Sequence, residues 1–142
     1  YIEGLNMLSS MRLCSNVLSQ QIVQTALGGY QSVDKLLLPG GRIYEQREFI
    51  YHAIKDIPGL SVVKPKAAFY MFPKIDVNKF GIYDDEKFAL DFLKAKKILF
   101  THGGGFHCME PDHFRIVYLP CVEELKIAAE ALAEFLNDYR QS

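Results

Sequence analysis

Phe114-Arg115-Ile116-Val117-Tyr118-Leu119 leads through Pro120-Cys121 into Val122-Glu123-Glu124-Leu125-Lys126-Ile127-Ala128-Ala129. The first run is short, β-branched and aromatic, and predicts a strand. The second repeats Val122, Leu125, Ala129, Leu132, Leu136 and Tyr139, the spacing of a helix buried along one stripe, and predicts a helix from Val122 to Tyr139. A single cation interrupts the apolar strand. Arg115 has apolar neighbours on both sides, so its guanidinium cannot easily reach solvent on an alternating pattern. A charge held there needs a partner. The planar fork suits bidentate binding of a carboxylate or phosphate. An edge-strand arginine and an internal salt bridge are equally open readings of the same residue.

Upstream of this strand, Thr101-His102-Gly103-Gly104-Gly105-Phe106-His107-Cys108 is a loop whose glycines permit close backbone approach. It matches neither a phosphate-binding Gly-x-x-x-x-Gly-Lys-Ser/Thr pattern nor a dinucleotide fingerprint. Ile98-Leu99-Phe100 predicts a short strand before it. Asp84 or Asp85 caps a helix running to about Lys96 on Phe88, Phe92 and Leu93. Leu60–Val63 and Ala68–Phe72 predict two strands separated by Lys64-Pro65-Lys66, with Phe69, Tyr70 and Phe72 expected in the core. Arg42 to Ile57 predicts a helix ended by Pro58-Gly59, using Phe49, Ile50, Ala53, Ile54 and Ile57. The first third is helical. A helix or the tail of one is expected over 1–13, a second from Ser19 to Gly28 with Ser19 as its cap, and a short one from Ser32 to Leu38. Together these predict an α/β (α+β) sandwich, a small sheet with helices packed on one face.

The 142 residues are enough for one domain with a real core. Sixteen Lys and Arg against 17 Asp and Glu leave a net charge of −1, which argues against a nucleic-acid surface. No apolar run is long enough for a membrane span, and the first residues do not resemble a signal peptide. Cys14, Cys108 and Cys121 are an odd, irregularly spaced set that suggests a reducing, cytoplasmic setting, with Cys121 expected to be small and buried at the start of the last helix. His102, His107, Cys108 and His113 match no zinc spacing, so no metal is expected. Cys108 beside His107 carries no recognisable nucleophile signature. Arg42, Tyr30 and Tyr44 lie beside turns as lesser candidates for ligand contact. The chain opens in helical material without an initiator Met and reads as an excised piece.

Ser9-Ser10-Met11-Arg12-Leu13-Cys14-Ser15-Asn16-Val17, Gln24-Thr25-Ala26-Leu27-Gly28-Gly29-Tyr30-Gln31-Ser32 and Pro39-Gly40-Gly41-Arg42-Ile43-Tyr44-Glu45-Gln46-Arg47 stand in one order with Lys64–Asp76 and Pro111–Val117. This series resembles the C-terminal part of fold-type-I pyridoxal-phosphate-dependent aminotransferases, most of all the bacterial alanine aminotransferase-like group. Ala67 and Leu18 stand where the family commonly has Gly and Pro.

The resemblance implies that residues 1–38 are interdomain and linker helices and 39–142 the small C-terminal domain. It implies that Arg115 binds the substrate's α-carboxylate, and that Gly104, Gly105 and Phe106 belong to a loop lining the entrance. The complete enzyme would exchange an amino group between an amino acid, alanine or glutamate, and a 2-oxo acid through pyridoxal 5′-phosphate. It would do so as a cytoplasmic homodimer. In the family the Schiff-base lysine and the other cofactor-holding residues lie upstream of the matched region, and Lys64, Lys66 and Lys74 do not correspond to that lysine. The chain alone is therefore expected to hold no cofactor, to carry no catalytic residue and to be inactive without a large domain. The alternative is a non-catalytic small-acid-binding or interaction module of the same fold.

Overall fold

The computed structural model describes residues 1–11 and 14–141, so Arg12, Leu13 and Ser142 lie outside the described residues. The chain divides into two compact units, Tyr1–Lys35 and Leu36–Ser142. In the first, α1 (Ile2–Ser10) precedes α2 (Val17–Gly28), and the end of the helix expected over 1–13 falls on Arg12 and Leu13, outside the described residues. α2 starts two residues earlier than Ser19, because the Asn16 side chain accepts the Ser19 N–H at 3.1 Å and so caps the helix itself. Gly29 ends it, where a Cβ would lie 2.4 Å from the Thr25 carbonyl oxygen. Neither helix buries a side chain, and Leu5, Leu8, Ile22 and Val23 are all exposed. A single turn, α3 (Asp34–Leu37), follows in the chain.

In the second unit, α4 (Arg42–Lys55) buries Ile43, Gln46, Ile50 and Ile54, one face at helical spacing. Gln46 is a polar residue in that stripe for a specific reason. Its amide donates to the carbonyls of Leu119 (3.1 Å) and Pro120 (2.5 Å), where the chain leaves its last strand. Arg42 donates to the same Leu119 oxygen at 2.6 Å.

The strands are shorter than the sequence predicts. β1 (Leu60–Ser61), β2 (Tyr70–Met71) and β3 (Lys74–Ile75) have two residues each. Pro73 sits between β2 and β3 and cannot donate to a ladder, so one extended run serves two sheets. β2 pairs antiparallel with β5 (Phe114–Val117), while β3 pairs antiparallel with β1. Asp76 then caps α5 (Val77–Phe80) by accepting from the Asn78 and Lys79 N–H groups, and Gly81 closes it at φ 66°. Neither β3 nor α5 is evident in the sequence pattern. α6 (Asp85–Lys96) takes Asp84 as its cap, the first of the two expected candidates.

Ile98–Phe100 forms no strand. The pairing begins one step later at β4 (Thr101–His102), and a 3₁₀ turn over Gly103–Phe106 follows. The sheet order is β2-β5-β4, and α7 (Val122–Asp138) closes the unit. Cys121 is exposed rather than buried, and its N–H donates to Glu124 at 3.3 Å.

α4 lies along α7, and α6 packs on both α7 and β4. Their apolar stripes meet Met71 and Phe114 from the sheet in one core that also holds Phe88, Phe92, Phe100, Leu125 and Leu132. The result is the expected α/β sandwich with helices on one face. No helix among the described residues is long and apolar enough to cross a membrane.

Candidate anion-binding site

The register of β5 fixes what each of its side chains faces. Met71 is opposite Ile116 and His102 opposite Phe114, so these share the helix-covered face. Tyr70 is opposite Val117 and Thr101 opposite Arg115, so these four share the other. Phe69, Tyr70 and Phe72 are exposed, not core as their aromatic character suggests. They belong to, or flank, the sheet face that carries Arg115.

Arg115 is on the central strand, which removes the edge-strand reading. Its guanidinium carbon lies 4.5 Å from the centre of the Tyr70 ring and 4.3 Å from that of Phe106. Two aromatic faces thus hold the flat cation, an arrangement that favours arginine over lysine. Among the described residues no carboxylate forms an ion pair with it, and its buried Nε has no hydrogen-bond partner. Leaving a charged donor unsatisfied is costly. What remains is a fixed, planar cation with donors to spare, suited to a carboxylate.

The rings around Arg115 are held in turn. The edge of Phe72 meets Phe106 at 6.0 Å between centres, and His113 stacks on Phe72 at 5.0 Å. Asp112 anchors that histidine through Nδ1 at 2.5 Å and takes Lys74 on its other oxygen at 2.9 Å. Burial pushes the Asp112 carboxyl up, but hydrogen bonds from Lys74 and His113 with their charges outweigh it and hold the group below its ordinary value.

The glycine turn is fastened at both ends of its first half. Gly103 donates to the His113 carbonyl at 2.8 Å, and a Cβ there would fall 2.7 Å from the same oxygen. Gly104 donates to the Asp85 carboxylate at 2.6 Å. Thus the turn brings Phe106 to Arg115, while Gly104 directs its N–H to Asp85, and a Cβ on Gly105 would meet only His102 and Thr101. An apolar hollow of about 810 Å³ also borders Arg115. Glu124 is the other charged residue in its lining, alongside Ile54, Phe92, Leu99 and Val117.

The remaining sequence candidates do not converge here. Among the described residues no three His, Cys, Asp or Glu side chains group as a metal site. His102 faces Asp85 and His113 faces Asp112. Arg42 is engaged at Leu119, and Tyr44 packs under Arg47. Tyr30 is exposed beside Lys35. Sequence reasoning missed Tyr70 and Asp85. Tyr70 and Phe72 alternate with Met71 and Pro73, and that alternation was the available signal for a second face.

The fold and site define a small α/β module that sets one arginine against two aromatic rings. The family model for aminotransferase class I and II matches residues 1–132, and the chain belongs to that family. It is 60% identical over 141 residues to the glutamate-pyruvate aminotransferase AlaA of Haemophilus influenzae, covering 99% of this chain and 35% of that protein. An alanine aminotransferase of Mycobacterium tuberculosis is 49% identical over 99% of this chain and 33% of its own length. Among solved structures, an aminotransferase from Escherichia coli matches with a TM-score of 0.82 at 54% identity, over 100% of this chain and 35% of that one. Alanine aminotransferase from Pyrococcus furiosus matches at 0.73 and 36% identity, over 96% of this chain and 34% of that one. The chain therefore spans about 35% of the length of the curated relatives it matches.

Proposed function

We propose that this chain supplies the substrate-carboxylate clamp of an amino-acid aminotransferase that exchanges an amino group between alanine or glutamate and a 2-oxo acid. The observation that carries the reading is Arg115, whose guanidinium lies over the Tyr70 and Phe106 rings and whose buried Nε has no partner among the described residues. Amino donor and 2-oxo acceptor both carry a carboxylate next to the reacting carbon. One arginine can therefore serve both half-reactions. With two rings against it, its fork fixes the rotation of the bound acid, and with it the direction of the Cα–H bond. Tyr70 and Phe106 also keep water from the faces of the guanidinium, which strengthens the ion pair once formed.

Pyridoxal phosphate supplies the electron sink in such enzymes. On this reading its holder lies outside this chain, which the engagement of the lysines supports: Lys64 is paired with Glu48 at 2.6 Å, Lys74 with Asp112, and Lys66 is exposed. In the same reading, residues 1–38 are linker helices, 39–142 are the small domain, and the complete enzyme is a cytoplasmic homodimer.

The test is kinetic and uses the full-length enzyme. Arg115→Lys keeps the charge but loses the planar fork. It is expected to lower kcat/KM for the amino donor and the 2-oxo acceptor alike, by roughly a hundredfold. Unchanged values for both substrates would sink the assignment. The 142-residue chain mixed with pyridoxal phosphate is expected to show no protein-bound absorption band and no turnover. Tight binding of a small acid by that chain alone would instead favour the non-catalytic module.

A further inference from the structure

We infer that Asp85 is a positioning residue for substrate binding: from the first turn of α6 it latches the glycine turn that holds Phe106 against Arg115. The inference rests on the reading of Arg115 as the carboxylate clamp. An acidic residue in the first turn of a helix needs no further explanation, because it opposes the positive end of the helix dipole. Asp85 does more than that. Glu86 stands beside it in the same turn and is exposed, whereas the Asp85 side chain is only 16% exposed. Its Oδ2 accepts the Gly104 N–H at 2.6 Å, a short bond to an ionised group and a strong one. The same carboxylate faces His102 Nδ1 at 3.5 Å without a hydrogen bond between them.

Among the described residues, the turn's other supports are backbone bonds and the Phe72 ring against Phe106. Gly103 is bonded to the backbone of His113, next to β5, and His107 and Cys108 close onto Gly104 and Gly103 within the turn itself. Among the described residues, Asp85 is thus the side chain of a helix that hydrogen-bonds to the turn. Two residues beyond Gly104, Phe106 lies over the guanidinium. If the latch opens, the lost group is one wall of the clamp and not the arginine. Affinity for the carboxylate suffers, while the fork that orients the bound acid and the groups of the chemical step are left in place.

The experiment compares four variants of the full-length enzyme. Asp85→Ala is expected to raise KM for both the amino acid and the 2-oxo acid about tenfold, with kcat changed by less than about twofold. Asp85→Asn retains an oxygen that can accept the Gly104 N–H and is expected to recover most of the wild-type KM. Asp84→Ala removes the cap of the same helix, the bond to Lys87 N–H, but leaves the latch; its KM is expected to stay at the wild-type value. Arg115→Lys is run in parallel. A wild-type KM in Asp85→Ala overturns the inference, as does an equal rise in Asp84→Ala, since helix stability would then explain both. If Arg115→Lys is also without effect, the carboxylate reading has failed and this inference with it. If Arg115→Lys is impaired while Asp85→Ala is not, only the latch is wrong.

Discussion

Gly103 and Tyr118 each tie the arginine's strand to a neighbouring segment, and each makes a distinct demand on its own position. A methyl on Gly103 would meet the oxygen, carbonyl carbon and Cβ of His113 at 2.7, 3.2 and 3.2 Å. Two of those atoms are backbone next to β5 and cannot swing aside. Gly103→Ala is expected to destabilise the unit by about 1–3 kcal/mol in urea unfolding, as overpacking does. Gly105→Ala meets nothing closer than 3.5 Å and should stay within about 0.5 kcal/mol. Tyr118 is buried, and its hydroxyl donates at 2.8 Å to the carbonyl of Ala68, a non-glycine residue at φ 59°. Tyr118→Phe leaves that carbonyl without its donor and is expected to cost about 1 kcal/mol. Arg115 itself was legible in the sequence, because a cation inside an apolar strand is a local anomaly. Of its clamp, Phe106 entered only through the resemblance, and Tyr70 did not enter at all. Tyr70 lies far from Arg115 along the chain, and an aromatic residue in a strand suggests burial until the register is known.

At the scale of elements, helices were legible where a cap and a stripe coincide. α6 and α7 follow their sequence patterns almost to the residue, since Asp84 and the repeat from Val122 are local signals. Strands were legible only as regions. Pro73 splits one run between two sheets, and β4 is displaced to Thr101 because Phe100 is taken up by the core next to Phe88 and Phe92. Within α6 a charge cluster links the helix to the end of α7. Asp91 accepts from Lys87 at 2.8 Å and from Tyr139 at 3.1 Å. The Lys87 hydrogen bond, reinforced by that of Tyr139, holds the Asp91 carboxyl below the usual 3.8 despite partial burial. A carboxyl depressed in the folded state contributes stability that is fully present above its unfolded value. That contribution is lost as the pH falls through the folded value. The unit should therefore lose stability on acidification from the usual 3.8 downward. Asp91→Asn should flatten that part of the curve, which urea midpoints across the acid range would measure. A wild-type acid slope in the variant would place the effect elsewhere, with Asp112 the next group to test, since its carboxyl is lowered as well.

On the scale of the whole chain, apolar burial is divided unequally. Every buried hydrophobic residue from Ile43 to Leu136 belongs to the second unit, while α1 and α2 bury none of theirs. Hydrophobic burial is the main favourable term in folding, so the stability of the chain should reside in residues 36–142. Isolated helices as short as α1 and α2 are marginal in water, because nucleation costs more than a few hydrogen bonds return. Residues 36–142 expressed alone are expected to unfold cooperatively, at the same urea midpoint as the 142-residue chain. A peptide of residues 1–35 should show little helical circular dichroism. The exposed Leu5, Leu8, Ile22 and Val23 should make the longer chain bind a hydrophobic dye more strongly than residues 36–142 do. A lower midpoint on removing residues 1–35 would mean that those helices stabilise the second unit. Equal midpoints with unequal dye binding would mean that the apolar face of residues 1–35 adds nothing to the stability of the second unit and is free to pack against other protein surface.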